Sequence, residues 1–170
     1  NVINASVERG IKKVCSLSTD KASSPVNLYG STKLCADKLI TSSSSMYGSK
    51  GPKFAVIRYG NVFASRGSVA FAFNKQIKEN GVLNVTHPEM TRFNIHINKA
   101  VEACMWALLE APSGSISVPK LSSYRILDLA SALSSVKPKI TGIRPGEKIH
   151  EEMISHHDYA NVEDLKDFYL

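Results

Sequence analysis

One short segment near the N-terminus brings together side chains that can exchange protons. Thr19, Asp20 and Lys21 are consecutive, and Tyr29 and Lys33 follow with a spacing of four. On a helix, residues spaced by four lie on one face, where a lysine ammonium favours the phenolate form of a tyrosine. Such a tyrosine can move the proton of an alcohol during hydride transfer, and an adjacent acid and amine can promote an elimination. The segment therefore indicates acid–base catalysis.

A purely structural interpretation of these residues also has to be weighed. A tyrosine and a lysine four apart often occur by chance, and an isolated Asp-Lys pair is usually a solvated part of a loop. The context favours function, because the apolar run 13–18 predicts a buried strand that ends just before Thr19. A helical pattern then begins near Leu28, so strand, loop and helix would hold both pairs at one end of a sheet.

Composition excludes several classes of protein. The chain has 170 residues and a net charge of +6, but its basic residues are scattered, so no nucleic-acid-binding arm is expected. No apolar stretch reaches the roughly 18–20 residues of a membrane span. The three cysteines lie far apart without a Cys-x-x-Cys motif, which predicts neither a disulfide framework nor a metal site. This usage is typical of the reducing cytoplasm.

Short apolar runs alternate with helical patterns, which predicts an α/β fold with a mainly parallel sheet. In such sheets ligands bind beyond the carboxyl ends of the strands, so the loops 17–21 and 58–62 should face one crevice. Helix 28–47 carries Leu28, Cys35, Leu39 and Met46 on one face, and the serine-rich residues 41–51 are interpreted as its exit loop. Strands are predicted at 13–18, 54–59, 83–86, 92–97, 115–118 and 139–143, and the other helices at 2–9, 69–79, 98–110, 126–134 and 147–154.

The order of these motifs resembles the nucleotide-sugar 4,6-dehydratases of the extended short-chain dehydrogenase/reductase superfamily. Within that group the chain most resembles the inverting UDP-N-acetylglucosamine 4,6-dehydratases of polysaccharide and pseudaminic acid biosynthesis. The resemblance covers nearly the whole chain. It rests on Ser18-Thr-Asp-Lys-Ala22, Asn27-Leu-Tyr-Gly-Ser-Thr-Lys33, Arg58-Tyr-Gly-Asn-Val62, Ser65-Arg-Gly-Ser68, Met90-Thr-Arg-Phe93 and Gly142-Ile-Arg-Pro-Gly-Glu-Lys148.

The resemblance implies a role for each residue of the catalytic segment. Tyr29 and Lys33 would bind NADP, with NAD as the alternative, and assist oxidation of the sugar at C4. Thr19 would hydrogen-bond the reacting oxygen. The C4 ketone acidifies the C5 proton, which Lys21 would remove, while Asp20 would protonate the departing C6 hydroxyl. Hydride then returns to C6, so the cofactor is regenerated within the cycle.

The resemblance also implies the binding residues. Arginines suit a diphosphate because the planar guanidinium bonds it in a bidentate manner. The nicotinamide end would be lined by Leu17, Ser18 and Val62, together with Tyr29 and Lys33. The UDP-sugar would be held by Asn61, Val69, Ala70, Phe71, Ala72, Phe73, Arg92, Arg144 and Glu147.

The implied fold is an NAD(P)-binding, Rossmann-like, doubly wound parallel sheet with a small C-terminal α/β substrate-binding part. Residues 1–80 would be the second half of the dinucleotide domain, and residues 81–170 the interleaved nucleotide-sugar-binding part. The chain starts at Asn1 and has no Gly-x-Gly-x-x-Gly turn. It is therefore expected to be a C-terminal fragment that binds NADP poorly and has little activity alone.

Two other functions remain open at this stage. A nucleotide-sugar epimerase or reductase would share Tyr29 and Lys33, but epimerisation at C4 needs no elimination across C5–C6, so Asp20 and Lys21 favour a dehydratase. A non-enzymatic binding module would have no need for all five catalytic residues. Relatives assemble into oligomers, so a homo-oligomer is expected for the full-length protein.

Overall fold

The computed structural model describes residues 1–170 and confirms the alternation of strands and helices. The five α-helices are α1 (Val2–Glu8), α2 (Leu28–Tyr47), α3 (Val69–Asn80), α4 (Ile97–Leu109) and α5 (Ile126–Leu133). The nine strands are β1 (Lys13–Thr19), β2 (Lys53–Tyr59), β3 (Asn61–Val62), β4 (Asn84–Val85), β5 (Thr91–Ile95), β6 (Ile116–Pro119), β7 (Ser123–Arg125), β8 (Lys139–Ile140) and β9 (Phe168–Tyr169).

The chain folds into two compact units that are interleaved along the sequence. The first unit contains Asn1–Tyr59, Asn98–Lys120 and Glu152–Leu170, and the second contains Gly60–Ile97 and Leu121–Glu151. The boundary expected after residue 80 falls inside the second unit, so the compact units are a different division from the functional halves predicted above.

The sheet of the first unit has the strand order β1-β2-β6-β9. Neighbours β1, β2 and β6 run parallel, and β9 adds an antiparallel edge. Residues Phe54 to Ile57 of β2 are all buried. A central parallel strand is covered on both faces, which is why this part of β2 reads as a continuous apolar run rather than an alternating one.

The two faces of β2 pack against different helices. Phe54 and Val56 form a cluster with Ile40 of α2. Ile57 packs against Ala103 and Ala107 of α4 on the opposite face. Because successive side chains of a strand point to opposite faces, Arg58 lies on the same face as Phe54 and Val56. A charged side chain is thereby directed towards α2.

The predicted apolar face of α2 is wrong as a core face. Leu28, Leu39 and Met46 are largely exposed, with Leu39 at 63%. The face that packs on the sheet instead carries Gly30, Asp37, Ile40 and Ser43. Hydrophobic periodicity cannot find such a face, because it includes a charged and a small polar residue whose hydrogen bonds form only in the folded chain.

None of the helices has both the length and the apolar composition needed to cross a lipid bilayer.

The exit loop predicted for residues 41–51 is also wrong in its first part, because α2 continues to Tyr47. The hydroxyls of Thr41 and Ser43 donate to the carbonyl oxygens of Asp37 (3.0 Å) and Leu39 (2.7 Å). Each of these bonds reaches back one helical turn, so the serine-rich sequence satisfies its hydroxyls within the helix. The chain leaves the helix at Gly48, whose φ of 55° favours glycine.

The short helix predicted at 147–154 is absent, since this segment contains only turns and irregular backbone. The carbonyl oxygens of Lys148 and Ile149 accept hydrogen bonds from the guanidinium of Arg92, each at 3.1 Å. The Ile149 carbonyl also accepts from the backbone N–H of Thr91 at 3.0 Å. Carbonyls bonded to β5 in this way are not used for a helical ladder.

The second unit contains a three-stranded sheet in the order β3-β5-β7 and a two-stranded sheet of β4 and β8. Strands β3, β7 and β9 were not predicted, because two or three residues carry no detectable periodicity. The core of this unit consists of Phe73, Leu83, Val85, Met90, Ile126 and Ala130.

The two neighbours Leu39 and Ile40 test the observed orientation of α2. Ile40 is 8% exposed and Leu39 is 63% exposed. We expect Ile40→Ala to lower the free energy of unfolding by about 2–5 kcal/mol, because it leaves a cavity against Phe54. Leu39→Ala should change it by less than about 0.5 kcal/mol. Denaturant unfolding of both variants measures the difference, and equal losses would contradict this orientation.

Candidate active site

The loop after β1 brings Thr19, Asp20 and Lys21 into direct contact. Asp20 is fully buried. Its Oδ1 accepts hydrogen bonds from Thr19 Oγ1 at 2.9 Å and from Lys21 Nζ at 3.0 Å. Its Oδ2 is buried without a hydrogen-bond partner. The ammonium of Lys21 is the counter-charge of the carboxylate, while the second oxygen of Asp20 is an unsatisfied buried acceptor.

The backbone of this loop is tightly packed against the start of α2. Residues Asp20–Ala22 form a turn of 3₁₀-helix. Thr19 is its N-cap, because Thr19 Oγ1 accepts a hydrogen bond from the N–H of Lys21 at 3.4 Å. The side chain of Asn27 caps α2 by accepting from the N–H of Gly30 at 2.9 Å. A Cβ on Gly30 would overlap the carbonyl oxygen of Lys21. Glycine at position 30 therefore lets α2 approach the loop of residues 19–21.

The Tyr29 and Lys33 side chains lie on the first two turns of α2. Tyr29 is 55% exposed, so its phenol is accessible. Lys33 Nζ donates to the carbonyl oxygen of Leu17 at 2.5 Å, which fastens the helix to the end of β1. Leu17 is itself about half exposed. The predicted residues Leu17, Tyr29 and Lys33 thus belong to one accessible region at the end of this strand.

The structure adds Asp37, which belongs to none of the predicted motifs, and gives Arg58, known until now only as the first residue of a motif, a buried ion pair with it. Asp37 Oδ2 accepts from Ser18 Oγ at 2.7 Å and from Arg58 Nη2 at 3.0 Å. Arg58 Nη1 donates to the carbonyl oxygen of Met153 at 3.1 Å. All three side chains of this Ser18–Asp37–Arg58 network are buried. The hydroxyl of Ser18 is therefore bonded within the protein, although Ser18 was predicted to line the nicotinamide.

A sequence signal for the network existed, although it was weak. Arg58 interrupts an otherwise apolar buried strand, and Asp37 follows Lys33 by one helical turn and Tyr29 by two. A buried arginine requires a counter-charge, and an acid on the facing helix is the simplest source.

Arg144 and Glu147 form a local ion pair in the second unit. Arg144 Nη2 lies 2.6 Å from Glu147 Oε1, and the N–H of Arg144 donates to Glu147 Oε2 at 3.1 Å. The turn that brings them together has Gly146 at a φ of 76°. The hydrogen bond from Arg144 lowers the pKa of Glu147 and raises that of Arg144. Arg144 is mostly exposed, so it can present its guanidinium to an anion.

Arg92 is held chiefly by backbone carbonyls. Besides Lys148 and Ile149, its guanidinium donates to the carbonyl oxygen of Thr91 at 2.7 Å. Arg92 therefore anchors the segment that follows Glu147. Its positive charge also contributes to the lowered pKa of Glu147. The direct sugar contact predicted for Arg92 stays a prediction.

The predicted sugar-binding segment Val69–Phe73 forms the start of α3 and divides into two sets. Ala70 and Phe73 are buried in the second unit, and Phe73 belongs to its core. Phe71 is 53% exposed, and Ala72 is also exposed. Phe71 and Ala72 are thus the members of the segment most accessible to a ligand.

Two further predicted residues lie on β3. The amide of Asn61 donates to the carbonyl oxygen of Phe93 at 3.4 Å. Val62 is half-buried and pairs with Ile95 of β5. The preceding Gly60 packs so closely on Phe93 that a Cβ would lie 2.7 Å from the Cβ of Phe93. Both side chains are consequently held by the pairing of β3 with β5.

The fold is shared with solved structures of NAD-binding enzymes. The dTDP-glucose 4,6-dehydratase DesIV from Streptomyces venezuelae, solved with NAD and TYD, gives a TM-score of 0.78 at 15% identity over 94% of this chain and 56% of that chain. Pen from Bacillus thuringiensis gives a TM-score of 0.92 at 36% identity over 99% of this chain and 55% of that chain. The chain thus shares the α/β fold of these proteins, which confirms the predicted fold class.

The family follows from the sequence comparison. A family model described as polysaccharide biosynthesis protein matches residues 1–170, and the chain belongs to this family. It is 46% identical over 171 residues to the inverting UDP-N-acetylglucosamine 4,6-dehydratase of Campylobacter jejuni, covering 99% of this chain and 51% of that protein. It is 39% identical over 174 residues to a UDP-glucose 4-epimerase of Rickettsia canadensis, with the same coverages of 99% and 51%. The chain spans about half the length of these curated relatives.

The residues at the end of β1 fit the nicotinamide end of a dinucleotide. Leu17 offers an exposed apolar side chain, Tyr29 an accessible phenol, and Lys33 an ammonium already fixed at this position. An ammonium has three donors, so Lys33 can bond a hydroxyl as well as the Leu17 carbonyl. The fit extends to this end only, since the sequence contains no glycine-rich turn for the pyrophosphate.

The ion pair of Glu147 predicts a pH-dependent contribution to stability. Because the pKa of Glu147 is lowered below its ordinary value of 4.5, the contribution is present above that pH and is lost as the pH falls through the folded-state value. Since Arg144 is exposed, we expect no more than about 1 kcal/mol. Urea unfolding of the wild type and of Glu147→Gln at several pH values measures it.

The control for this experiment is Glu89→Gln, which alters an exposed glutamate outside the described ion pairs. The difference between wild type and Glu147→Gln should be largest at neutral pH and shrink below pH about 4.5. A difference that grew on acidification would contradict the lowered pKa.

Proposed function

We propose that this chain carries the catalytic and sugar-binding residues of a nucleotide-sugar 4,6-dehydratase, with UDP-N-acetylglucosamine as substrate and NADP as cofactor. The observation that carries the proposal is the contact of Thr19, Asp20 and Lys21. The hydroxyl of Thr19 and the amine of Lys21 both bond to one buried carboxylate oxygen of Asp20. Similarity to the inverting dehydratase of Campylobacter jejuni supports the choice of substrate.

An elimination across C5–C6 of a 4-keto sugar requires a base with a free electron pair at C5 and an acid with a transferable proton at C6. Movement of one proton from Lys21 Nζ to Asp20 across their 3.0 Å contact provides both groups at once. Lys21 then removes the C5 proton, and Asp20 protonates the C6 hydroxyl as it leaves as water. The reaction returns the two residues to the ammonium and carboxylate forms, so the ion pair observed here is also the state after the elimination.

The remaining catalytic residues act at C4. In its phenolate form, which the ammonium of Lys33 stabilises, Tyr29 accepts the proton of the C4 hydroxyl and becomes a phenol. Thr19 hydrogen-bonds the same sugar oxygen and keeps it close to Asp20. Leu17 and Val62 would hold the nicotinamide, which would supply hydride acceptance at C4 and hydride return to C6, with a proton added back at C5.

Residues of the second unit bind the nucleotide sugar in this proposal. Arg144 is the best-placed diphosphate ligand, because it is exposed and Glu147 holds its guanidinium in a defined position. Arg92 supports the same segment through its carbonyl bonds and adds positive charge. Asn61 and the segment Val69–Phe73, chiefly through Phe71, contact the sugar.

A 4-epimerase is the second candidate, because the Rickettsia relative at 39% identity carries that name. The two reactions give products of different mass, since dehydration removes one water and epimerisation removes none. Incubation with UDP-N-acetylglucosamine, with either NADP or NAD, followed by mass spectrometry distinguishes them. The contact of buried Asp20 with partly exposed Lys21 favours dehydration, because epimerisation at C4 gives this pair no task.

We expect the 170-residue chain to turn over UDP-N-acetylglucosamine far more slowly than the Campylobacter dehydratase does under the same conditions. Its sequence lacks the glycine-rich turn that receives the pyrophosphate of a dinucleotide. Parallel assays with NADP and with NAD measure this difference. A rate equal to that of the Campylobacter enzyme would show that the chain binds the cofactor without such a turn.

The role of Lys21 can be tested without any cofactor. The 4-keto-6-deoxy product, prepared with the Campylobacter enzyme, already has an acidified C5 proton. In D₂O the chain should catalyse deuterium incorporation at C5, and Lys21→Ala should slow this by at least about 100-fold, the usual contribution of a general base. NMR of the recovered UDP-sugar measures the incorporation.

The matched control is Lys12→Ala, which removes an exposed lysine just before β1. This variant should exchange deuterium at the wild-type rate. Binding of the UDP-sugar, measured by calorimetry, should be the same in both variants. Undiminished exchange in Lys21→Ala would show that Lys21 is not the base.

A further inference from the structure

Two successive turns of α2 are fastened to two successive residues of β1. Lys33 Nζ donates to the carbonyl oxygen of Leu17 at 2.5 Å. One turn later, Asp37 accepts from the hydroxyl of Ser18 at 2.7 Å. The next residue of the strand is Thr19, where the catalytic loop begins. The position of this loop relative to α2 is therefore set by these two bonds.

The Asp37 carboxylate is held in turn by Arg58. In parallel strands β1 and β2, Ser18 is the register partner of Arg58, so both side chains lie on the face that packs against α2. Arg58 Nη2 lies 3.0 Å from Asp37 Oδ2, and Nη1 is bonded to the Met153 carbonyl. Asp37 thus connects β1 and β2 to a single point on the helix.

We propose that Asp37 is a positioning residue of the active site, with Arg58 as its counter-charge. It fixes the carboxyl end of β1 against α2, and so holds Thr19, Asp20 and Lys21 at the correct distance from Tyr29 and Lys33. This role rests on the proposed function, because it assigns the two residue groups to one reaction.

Stability alone does not account for the network. Asp37 Oδ1 and Arg58 Nε are buried without hydrogen-bond partners, so the ion pair is incompletely satisfied. Replacing a buried ion pair by apolar residues of similar volume is often neutral or stabilising. The charged pair offers instead what a packed leucine lacks, namely a directional bond to the hydroxyl of Ser18.

The test compares three variants by hydrogen–deuterium exchange of the backbone amides of residues 18–21. The double variant Asp37→Leu with Arg58→Met removes both charges together. Ser18→Ala removes only the bond from the strand and leaves the ion pair intact. Ser43→Ala is the control, because Ser43 is also buried on α2 but bonds only to Leu39 of its own helix.

We expect the double variant and Ser18→Ala to exchange these amides about tenfold faster than Ser43→Ala, as the loss of one buried hydrogen bond predicts. Thermal unfolding should show that the double variant stays folded, which separates positioning from stability. If the folded double variant exchanges at the control rate, the proposal is overturned. If the double variant does not fold, Ser18→Ala decides, and exchange at the control rate again overturns the proposal.

A second measurement links the network to catalysis. Deuterium incorporation at C5 of the 4-keto sugar should fall about tenfold at saturating sugar in the double variant, with an unchanged KM, because the sugar-binding residues are untouched. Amide exchange needs no substrate, so it tests the positioning role even if the chain proves not to be a dehydratase. A change in KM alone would contradict a role in positioning the catalytic loop.

Discussion

The geometry of the candidate site depends on the hydrogen bonds of one buried carboxylate, that of Asp37. Its Oδ2 receives hydrogen bonds from Ser18 at the end of β1 and from Arg58 near the end of β2. These strands form the parallel pair that is covered by α2, so one oxygen atom connects the helix to both strands. In a low-dielectric interior such bonds are short and directional, and a misplaced partner is costly.

The loop of residues 19–21 begins immediately after Ser18 and contains a second buried carboxylate with a similar set of partners. Asp20, like Asp37, is a fully buried carboxylate paired with one cation and one hydroxyl. The two pairs differ in access, because Arg58 is buried whereas Lys21 is partly exposed. An arginine side chain stays protonated under all ordinary conditions, whereas a lysine side chain can serve as a base in an enzyme. Hence one pair suits a structural task and the other a chemical one.

Much of the first unit could be predicted from the sequence, and the reasons are local. The apolar runs of β1 and β2 and the helical pattern that begins near Leu28 place these elements close to their observed bounds. The identity of the loop residues was likewise visible, because Thr19, Asp20 and Lys21 are consecutive. Their contact requires only the turn that follows the strand.

Features that depend on distant partners could not be predicted in this way. Asp37 faces the sheet because it bonds to Ser18 and Arg58 there. A hydrophobicity scale ranks an aspartate as a surface residue, and it therefore predicts the wrong buried face for α2. Residues 148 and 149 avoid a helix because Arg92, more than 50 residues earlier, binds their carbonyls. The proposed function likewise depends on a few specific contacts. Dehydratases and epimerases share this fold. In the proposed function they would also share the chemistry of Tyr29 and Lys33, and only the groups that contact C5 and C6 would separate them. In this proposal, the contact between Asp20 and Lys21 would therefore say more about the reaction than the likeness of the whole chain does.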